Sequence, residues 1–348
     1  MSEDNRISLA DGAGGEKMDE LISKHILPFF DNDEGEIPLS SLDDSCVKDD
    51  IAFTTDSHTV KPVFFPGGDL GSLSVSGTIN DLLAIGSSPI GLSLAVVVPE
   101  GYPLDSLDDL LNSASKTIKD AEVPILSGDT KVVEKGDIDE PIFTTSGIGK
   151  RHPLMDENMG IAGGRKSRWL SDDNLNPGDK IILTGTVGDH GITILSEREG
   201  YGFQGDVKSD VQPLHDIMEE ALSVGGVATA KDPTRGGLAN SLNELADKSS
   251  LGIVVEEEKI PIKEWVASAG DMLGLDPLAI GNEGKFVLGV HHSKAEDVLN
   301  RIRETENGKN ASIIGEVKED IDGVVLKTSV GGKRILDKPV GDPVPRIC

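Results

Sequence analysis

Between residues 152 and 173 the sequence loses the apolar periodicity that fills both flanks. It turns polar there, with Gly163-Gly164 and a basic cluster of Arg165, Lys166 and Arg168. Such a break in mid-chain suits a connection between two packed units, because backbone without a buried face belongs at a surface. The chain has 348 residues, more than one core usually accommodates. Two domains are therefore expected, over 1–150 and 174–335, joined by a linker at 151–173 and followed by a flexible tail at 336–348.

Each flank alternates short apolar runs with amphipathic stripes, the pattern of an α/β protein. In the first half, Met18, Leu21, Ile22 and Ile26 predict a helix that Pro28 stops. The acidic stretch 31–50 reads as loop. Strands are expected at 51–55, 60–65, 92–98, 123–126 and 142–148, with a loop at 127–130. Helices are expected at 70–85 and from Leu104 to Ile118, the latter begun by Ser106 with Asp109. In the second half, strands are expected at 179–184, 285–290, 312–317 and 323–327, and helices at 185–195, 214–223, 238–247 and 262–273. No short-period repeat is visible, which excludes solenoids and propellers.

Charge narrows the function. Lys and Arg number 33 against 61 Asp and Glu, a net charge of −28 that repels nucleic acid and anionic membrane. No apolar run approaches the ~20 residues of a spanning helix. The start of the chain lacks the basic-then-apolar pattern of a signal peptide, so a cytoplasmic protein is expected. The acidity reads either as a solvated, salt-adapted surface or as a docking face for a basic partner. Two cysteines, Cys46 and Cys348, exclude a disulfide framework and a cysteine-based zinc site.

The polar residues that carry chemistry gather at the ends of expected strands: Asp56, Asn80-Asp81, Gly128-Asp129-Thr130-Lys131, Asp232-Pro233-Thr234-Arg235-Gly236-Gly237 and Asn282-Glu283-Gly284. Taken singly, each such Asp reads more readily as a cap or turn former. Together they suit Mg²⁺ bound with phosphates, since that ion takes one or two carboxylates and completes its shell with phosphate oxygens. Gly67-Gly68 and Gly236-Gly237, opening helices, would let backbone N–H groups face an anion. The GxxxxGK[ST] loop is absent. His190, in Gly188-Asp189-His190-Gly191, reads as a catalytic or a turn histidine. Cys46 reads as structural or incidental, its acidic loop raising its pKa. Cys348 reads either as an accidental thiol or as a swinging carrier. Roughly ten extended residues at ~3.3 Å each would carry its sulfur about 30 Å. Arg346 would favour its thiolate.

With these residues, the sequence resembles the HypE family of hydrogenase maturation factors. The matching segments run from Gly12-Ala13-Gly14-Gly15 through Thr54-Thr55-Asp56-Ser57, Lys61-Pro62-Val63-Phe64-Phe65-Pro66-Gly67-Gly68-Asp69 and Thr78-Ile79-Asn80-Asp81-Leu82. They continue through Ser127-Gly128-Asp129-Thr130-Lys131, Gly188-Asp189-His190-Gly191, Asp232-Pro233-Thr234-Arg235-Gly236-Gly237 and Asn282-Glu283-Gly284-Lys285 to Pro345-Arg346-Ile347-Cys348. The resemblance implies a two-domain PurM-like fold, similar to aminoimidazole ribonucleotide synthetase, whose N-terminal domains pair into a β-barrel in a homodimer. It implies that a HypF-like carbamoyltransferase loads Cys348, that ATP with Mg²⁺ drives dehydration of the carbamoyl group to a thiocyanate, and that cyanide passes to iron on a HypC–HypD complex. By motif, Asp56, Asp81, Asp129 and Asp232 would hold metal and phosphates, with Asn80, Thr130 and Thr234 beside the nucleotide. Gly67 and Gly68 would approach the phosphates, Glu283 would act as base, and Lys131 would position the amide. The sequence departs from the family at Asp11, where His is common, and at Gly281, where Ala is common; the second reads as conservative. The rivals are a selenophosphate synthetase, a thiamine-phosphate kinase, or a non-catalytic scaffold that delivers its tail to a partner.

Overall fold

A computed structural model of the chain describes residues 6–12, 14–30, 34–203, 205–341, 344 and 347–348. Helix α1 (Gly15–His25) precedes a first sheet built from β1 (Cys46–Lys48), β2 (Ile51–His58), β5 (Ser87–Pro99), β6 (Ile125–Val133) and β7 (Ile142–Arg151). The short pair β3 (Phe64–Phe65) and β4 (Gly68–Asp69) leads into α2 (Leu70–Ala84), and α3 (Leu104–Asp120) joins β5 to β6. The sheet order is β1-β2-β7-β5-β6. Only β5 and β6 run parallel, and α3 is the crossover such a pair requires.

Burial alternates along β2 and β7, so one face of this sheet is covered. The cover is α2, which is buried almost all round and held at its start by a capping box between Asp69 and Ser72. Its second flank packs on the other half of the molecule. Ala52, Val75, Ile79 and Leu82 share one apolar cluster with Ile182, Ile217, Leu288 and Ile302, so a single core runs through both halves.

After α4 (Met155–Ala162) come β8 (Lys180–Leu183), α5 (Asp189–Glu199), α6 (His215–Val224), β9 (Val227–Lys231), α7 (Gly237–Ser249), β10 (Gly252–Glu256), α8 (Glu264–Leu273), β11 (Val287–Val290), α9 (Ala295–Arg303), β12 (Ser312–Lys318), β13 (Val324–Lys327) and β14 (Lys333–Ile335). Their mixed sheet has the order β14-β13-β10-β12-β8-β11-β9. On one face α7 contributes Leu238, Leu242 and Leu245 to a cluster with Ile181, Ile253 and Val287. On the other, α6 and α9 pack Ile217, Val298 and Ile302 against Ile182 and Leu288.

Several elements differ from expectation. Residues 127–130, expected as a loop, belong to β6, and β6 is exposed along almost its whole length. The strand expected at 60–65 shrinks to β3, because Pro62 has no N–H for a ladder. Helix α3 starts at Leu104 behind Pro103, with no side-chain cap.

The polar connection is packed rather than exposed. Trp169 and Leu170 are fully buried in the shared core. Arg165 forms a buried pair with Asp179, Nη2 to Oδ1 at 2.9 Å, and Arg168 forks onto Glu36. In α4, Asn158 donates to the Val227 carbonyl and accepts from its N–H, both at 2.8 Å. That side chain satisfies the outermost strand of the second sheet, where no neighbouring strand does.

Candidate active site

A cavity of about 270 Å³ opens between the halves. Strand alternation turns Thr54, Asp56 and His58 of β2 to the side covered by α2, and Gly77 and Asp81 of α2 face them one turn apart. Asp232 and Thr234 arrive from the turn between β9 and α7, and Glu283 from the turn before β11. Asp43 and Asp44 close one side, and Cys348 enters from another.

The Thr54 hydroxyl donates to Asp81 Oδ2 at 2.8 Å. Burial, with Asp56, Asp232 and Asp44 as like-charged neighbours, pushes the Asp81 carboxyl well above the ordinary carboxylate value. Asp232 is pushed up by burial and then by Asp44. Asp44 itself is raised by burial, and its Oδ2 has no hydrogen-bond partner among the described residues. These carboxylates are all hard oxygen donors, crowded and desolvated, and they call for a cation to offset the repulsion. Among the described residues no three His, Cys, Asp or Glu groups already form a metal cage. The donor set therefore fits an ion that takes the rest of its shell from phosphate oxygens.

Glu283 is positioned by backbone. Its N–H and that of Gly284 both donate to Asp210, each at 3.2 Å, while Lys285 pairs with Asp210 at 3.3 Å. The Glu283 side chain is left facing the cavity, and its Oε1 has no hydrogen-bond partner among the described residues. Burial, with Asp232 and Asp210 nearby, pushes it well above the carboxylate range, and Arg235 opposes the shift. Asn80 is a tie rather than a lining residue. Its Nδ2 donates to the carbonyls of Gln212 (3.1 Å) and Glu283 (3.4 Å), and its Oδ1 accepts from Leu214 N at 2.9 Å. Asn282 Oδ1 likewise accepts from Gly188 N at 2.8 Å.

The end of the chain lies in this cavity. Cys348 is half-buried, with Arg235 Nη1 3.8 Å from its sulfur. Cys348 is the main cause of the raised Arg235 pKa; burial opposes it, while Asp56, Glu283 and Asp81 add to it. Arg346, the residue expected to favour the thiolate, lies outside the described residues, as do Ala13, Pro343 and Pro345. His190 holds the segment that carries the thiol, with Nε2 2.6 Å from the Ile347 carbonyl. Gly281 is not the conservative change its chemistry suggested. A methyl group there would lie 2.6 Å from Ile347 Cδ1 and 2.6 Å from the Thr234 carbonyl oxygen. Cys46 sits in β1, its thiol raised chiefly by burial and donating to the Phe53 carbonyl at 3.3 Å.

One wall is a buried ion network. Lys231 contacts Asp44 (2.8 Å), Asp172 (3.0 Å) and Glu244 (3.1 Å), and Lys248 contacts Asp43 (3.0 Å) and Asp172 (2.6 Å). It ties the first half, the connection and the second half together beside the cavity.

The structure thus brings Asp56, Asp81, Asp232, Thr234, Glu283 and Cys348 together. It does not bring Asp129, Thr130 or Lys131 to them within one chain. These three lie on exposed β6, where Asp129 and Thr130 border a separate groove of about 600 Å³ with Leu94, Leu107 and Ile125. Gly67 and Gly68 do not line the cavity. A Cβ on Gly67 would strike the Ser209 carbonyl at 2.7 Å, and one on Gly68 would strike Val211 at 2.4 Å. Gly237 packs as closely on the Ile280 backbone, 2.5 Å from its carbonyl oxygen. Sequence reasoning missed the roles of Arg235, His190, Lys231 and Asp44. Arg235 and His190 stood inside recognisable motifs, 232–237 and 188–191, whereas Lys231 and Asp44 stood in none.

Residues 42–150 match the N-terminal domain, and residues 176–327 the C-terminal domain, of AIR synthase related proteins. Fold and cavity together define this class of two-domain PurM-like α/β protein. A putative hydrogenase expression/formation protein of Methanocaldococcus jannaschii is 46% identical over 99% of this chain and 100% of its own length. The carbamoyl dehydratase HypE of Azotobacter vinelandii is 40% identical over 98% of this chain and 97% of its own. Among solved structures, a HypE–HypF complex superposes with a TM-score of 0.84 at 40% identity, covering 92% of this chain and 99% of that one. A HypE in complex with ATP superposes with a TM-score of 0.80 at 39% identity, covering 99% and 100%. The chain belongs to the HypE family of hydrogenase maturation proteins.

Proposed function

We propose that this protein is an ATP-dependent carbamoyl dehydratase that makes the cyanide ligands of [NiFe]-hydrogenase iron on its own C-terminal cysteine. The observation that carries the reading is Cys348 lodged among buried carboxylates, beside a glutamate with an unsatisfied oxygen. A scaffold that only presents its tail has no use for that arrangement.

The amide oxygen of an S-carbamoyl group is a poor leaving group. Attack by that oxygen on the γ-phosphorus of ATP releases ADP and converts it to a phosphate ester. Loss of the two N–H protons then expels phosphate and leaves S–C≡N, a net loss of water. Glu283 receives the first N–H proton on its free oxygen, and the departing phosphate carries away the second. Arg235 faces the sulfur and stabilises negative charge there. Asp56, Asp81 and Asp232 would hold Mg²⁺, which neutralises charge on the transferring phosphoryl group.

Lys131, Asp129 and Thr130 reach such a site only from a second copy of the chain. Strand β6 supports that reading, being a long uncovered edge with an apolar groove beside it. Pairing of two N-terminal sheets into a barrel would cover the edge and carry the Lys131 ammonium toward the partner's substrate amide. A HypF-like carbamoyltransferase loads the thiol, and a HypC–HypD complex accepts the cyanide. Among the described residues no helix is long and apolar enough to cross a membrane.

Mass spectrometry of the C-terminal peptide tests this, after incubation with carbamoyl phosphate, ATP and the carbamoyl-transfer partner. The peptide should gain a carbamoyl group and then, only with ATP, lose one water. Retention of the carbamoyl group with ATP present would exclude the dehydratase.

A further inference from the structure

The terminal Ile347-Cys348 pair is gripped by three elements that the chemistry above does not use for bond making. The first is a relay: Val211 N–H donates to Ser209 Oγ at 3.1 Å, and Ser209 Oγ lies 2.8 Å from His190 Nδ1. The Ile347 carbonyl beside Nε2 can only accept, so in the neutral ring the proton resides on Nε2 and Nδ1 accepts from the Ser209 hydroxyl. Nε2 then donates to the Ile347 carbonyl at 2.6 Å. The second is an apolar seat, in which Ile347 is almost fully buried against the hydrogen at Gly281. The third is Arg235, over the sulfur.

We propose that His190 is the positioning residue for the carrier thiol, a latch that holds the tail by backbone so that the Cys348 sulfur is seated for dehydration. The inference rests on the dehydratase reading. His190 is fully buried and its ring is fixed edge-on by Phe65, with centroids 5.5 Å apart. Burial lowers its pKa, which keeps the neutral tautomer that the relay requires. A grip on the Ile347 carbonyl leaves the neighbouring thiol untouched, so bare, carbamoylated and cyanated forms can all be seated alike. It also removes most of the freedom of the arm one residue from the reacting group, where orientation counts most toward rate. The hold is a neutral hydrogen bond and one apolar side chain, so the tail can leave for its partners.

The latch is read without turnover by iodoacetamide alkylation of Cys348 in a Cys46→Ser background, followed by mass spectrometry. His190→Phe and Ile347→Ala should each raise the alkylation rate about fivefold, the worth of one neutral hydrogen bond or a small apolar contact. His190→Gln keeps an N–H at similar reach and should stay within about twofold of the parent. In the carbamoylated protein, His190→Phe should slow single-turnover dehydration about fivefold while its ATP dependence stays unchanged. Parental alkylation rates in both His190→Phe and Ile347→Ala, or a Gln variant as reactive as the Phe variant, would overturn the latch. Should His190→Phe fail to fold, Gly281→Ala carries the same test by crowding Ile347 from its seat. A parent that alkylates as expected yet never dehydrates its carbamoyl group refutes the dehydratase and leaves the latch standing.

Discussion

Replacing Lys231 by Met tests whether the buried ion network holds the two halves around the cavity. Lys231 is nine-tenths or more buried and has three carboxylates within 3.1 Å, one each from the first half, the connection and α7. Removing it leaves those charges without their shared cation, a loss of about 3–5 kcal/mol where a buried pair is broken by deleting one partner. Met fills most of the volume, so the cost is electrostatic. The neighbours do not respond alike. Asp172 is held below the usual carboxylate value because two lysines offset its burial, whereas Asp44 is raised by burial and by Asp172 itself. The pH dependence follows from these directions. In the parent, the stability owed to Asp172 is present above the ordinary carboxylate pKa of about 4 and is lost as pH falls through its lower folded value. In the variant, Asp44, Asp172 and Glu244 all shift upward when folded, so protonation favours the folded state and the deficit narrows on acidification. Urea unfolding followed by tryptophan fluorescence reads this, because Trp169 is buried close to Asp172 in the chain. A loss below about 1 kcal/mol at pH 7, or a deficit that widens toward pH 5, would refute the reasoning.

Two further outcomes are expected. Lys131→Ala and Glu283→Gln should each abolish dehydration while sparing carbamoylation of Cys348. Mixing the two variants should restore about a quarter of the sites, because each mixed dimer assembles one intact site across the interface; no recovery would show that Lys131 acts within its own chain. Asn80→Ala breaks three hydrogen bonds between α2 and the second half. It should lower stability by about 2–3 kcal/mol, since buried backbone groups of Leu214 and Gln212 lose their partners. Loss of nucleotide binding without loss of stability would place Asn80 at the ligand instead.

Local pattern was legible where one residue's surroundings are set by its neighbours in the chain. The stripe of α3, the strand begun at Ile51 and the helix begun at Leu70 all follow from spacing. Strand β9 escaped notice because Gly225-Gly226 precede it and its run Val227–Lys231 ends in a charge that is paired only in three dimensions. Strand β10 was missed beside Gly252, and α9 beside its charged ends, because short elements carry little periodicity. The packing of the connection was not legible, since Asn158 and Arg168 find their partners far along the chain.

Chemistry was legible through motifs. Residue types at Asp56, Asp81, Asp232, Glu283 and Cys348 suggested one oxygen-rich site with a sulfur, and the structure places all five around one cavity. Which of them meet was decided only by the packing of α2 between two sheets and by the seating of Ile347. Spacing along a chain says what faces a side chain within a few residues. It carries no record of which distant carbonyl a histidine will meet, or of which strand will be left at an exposed edge.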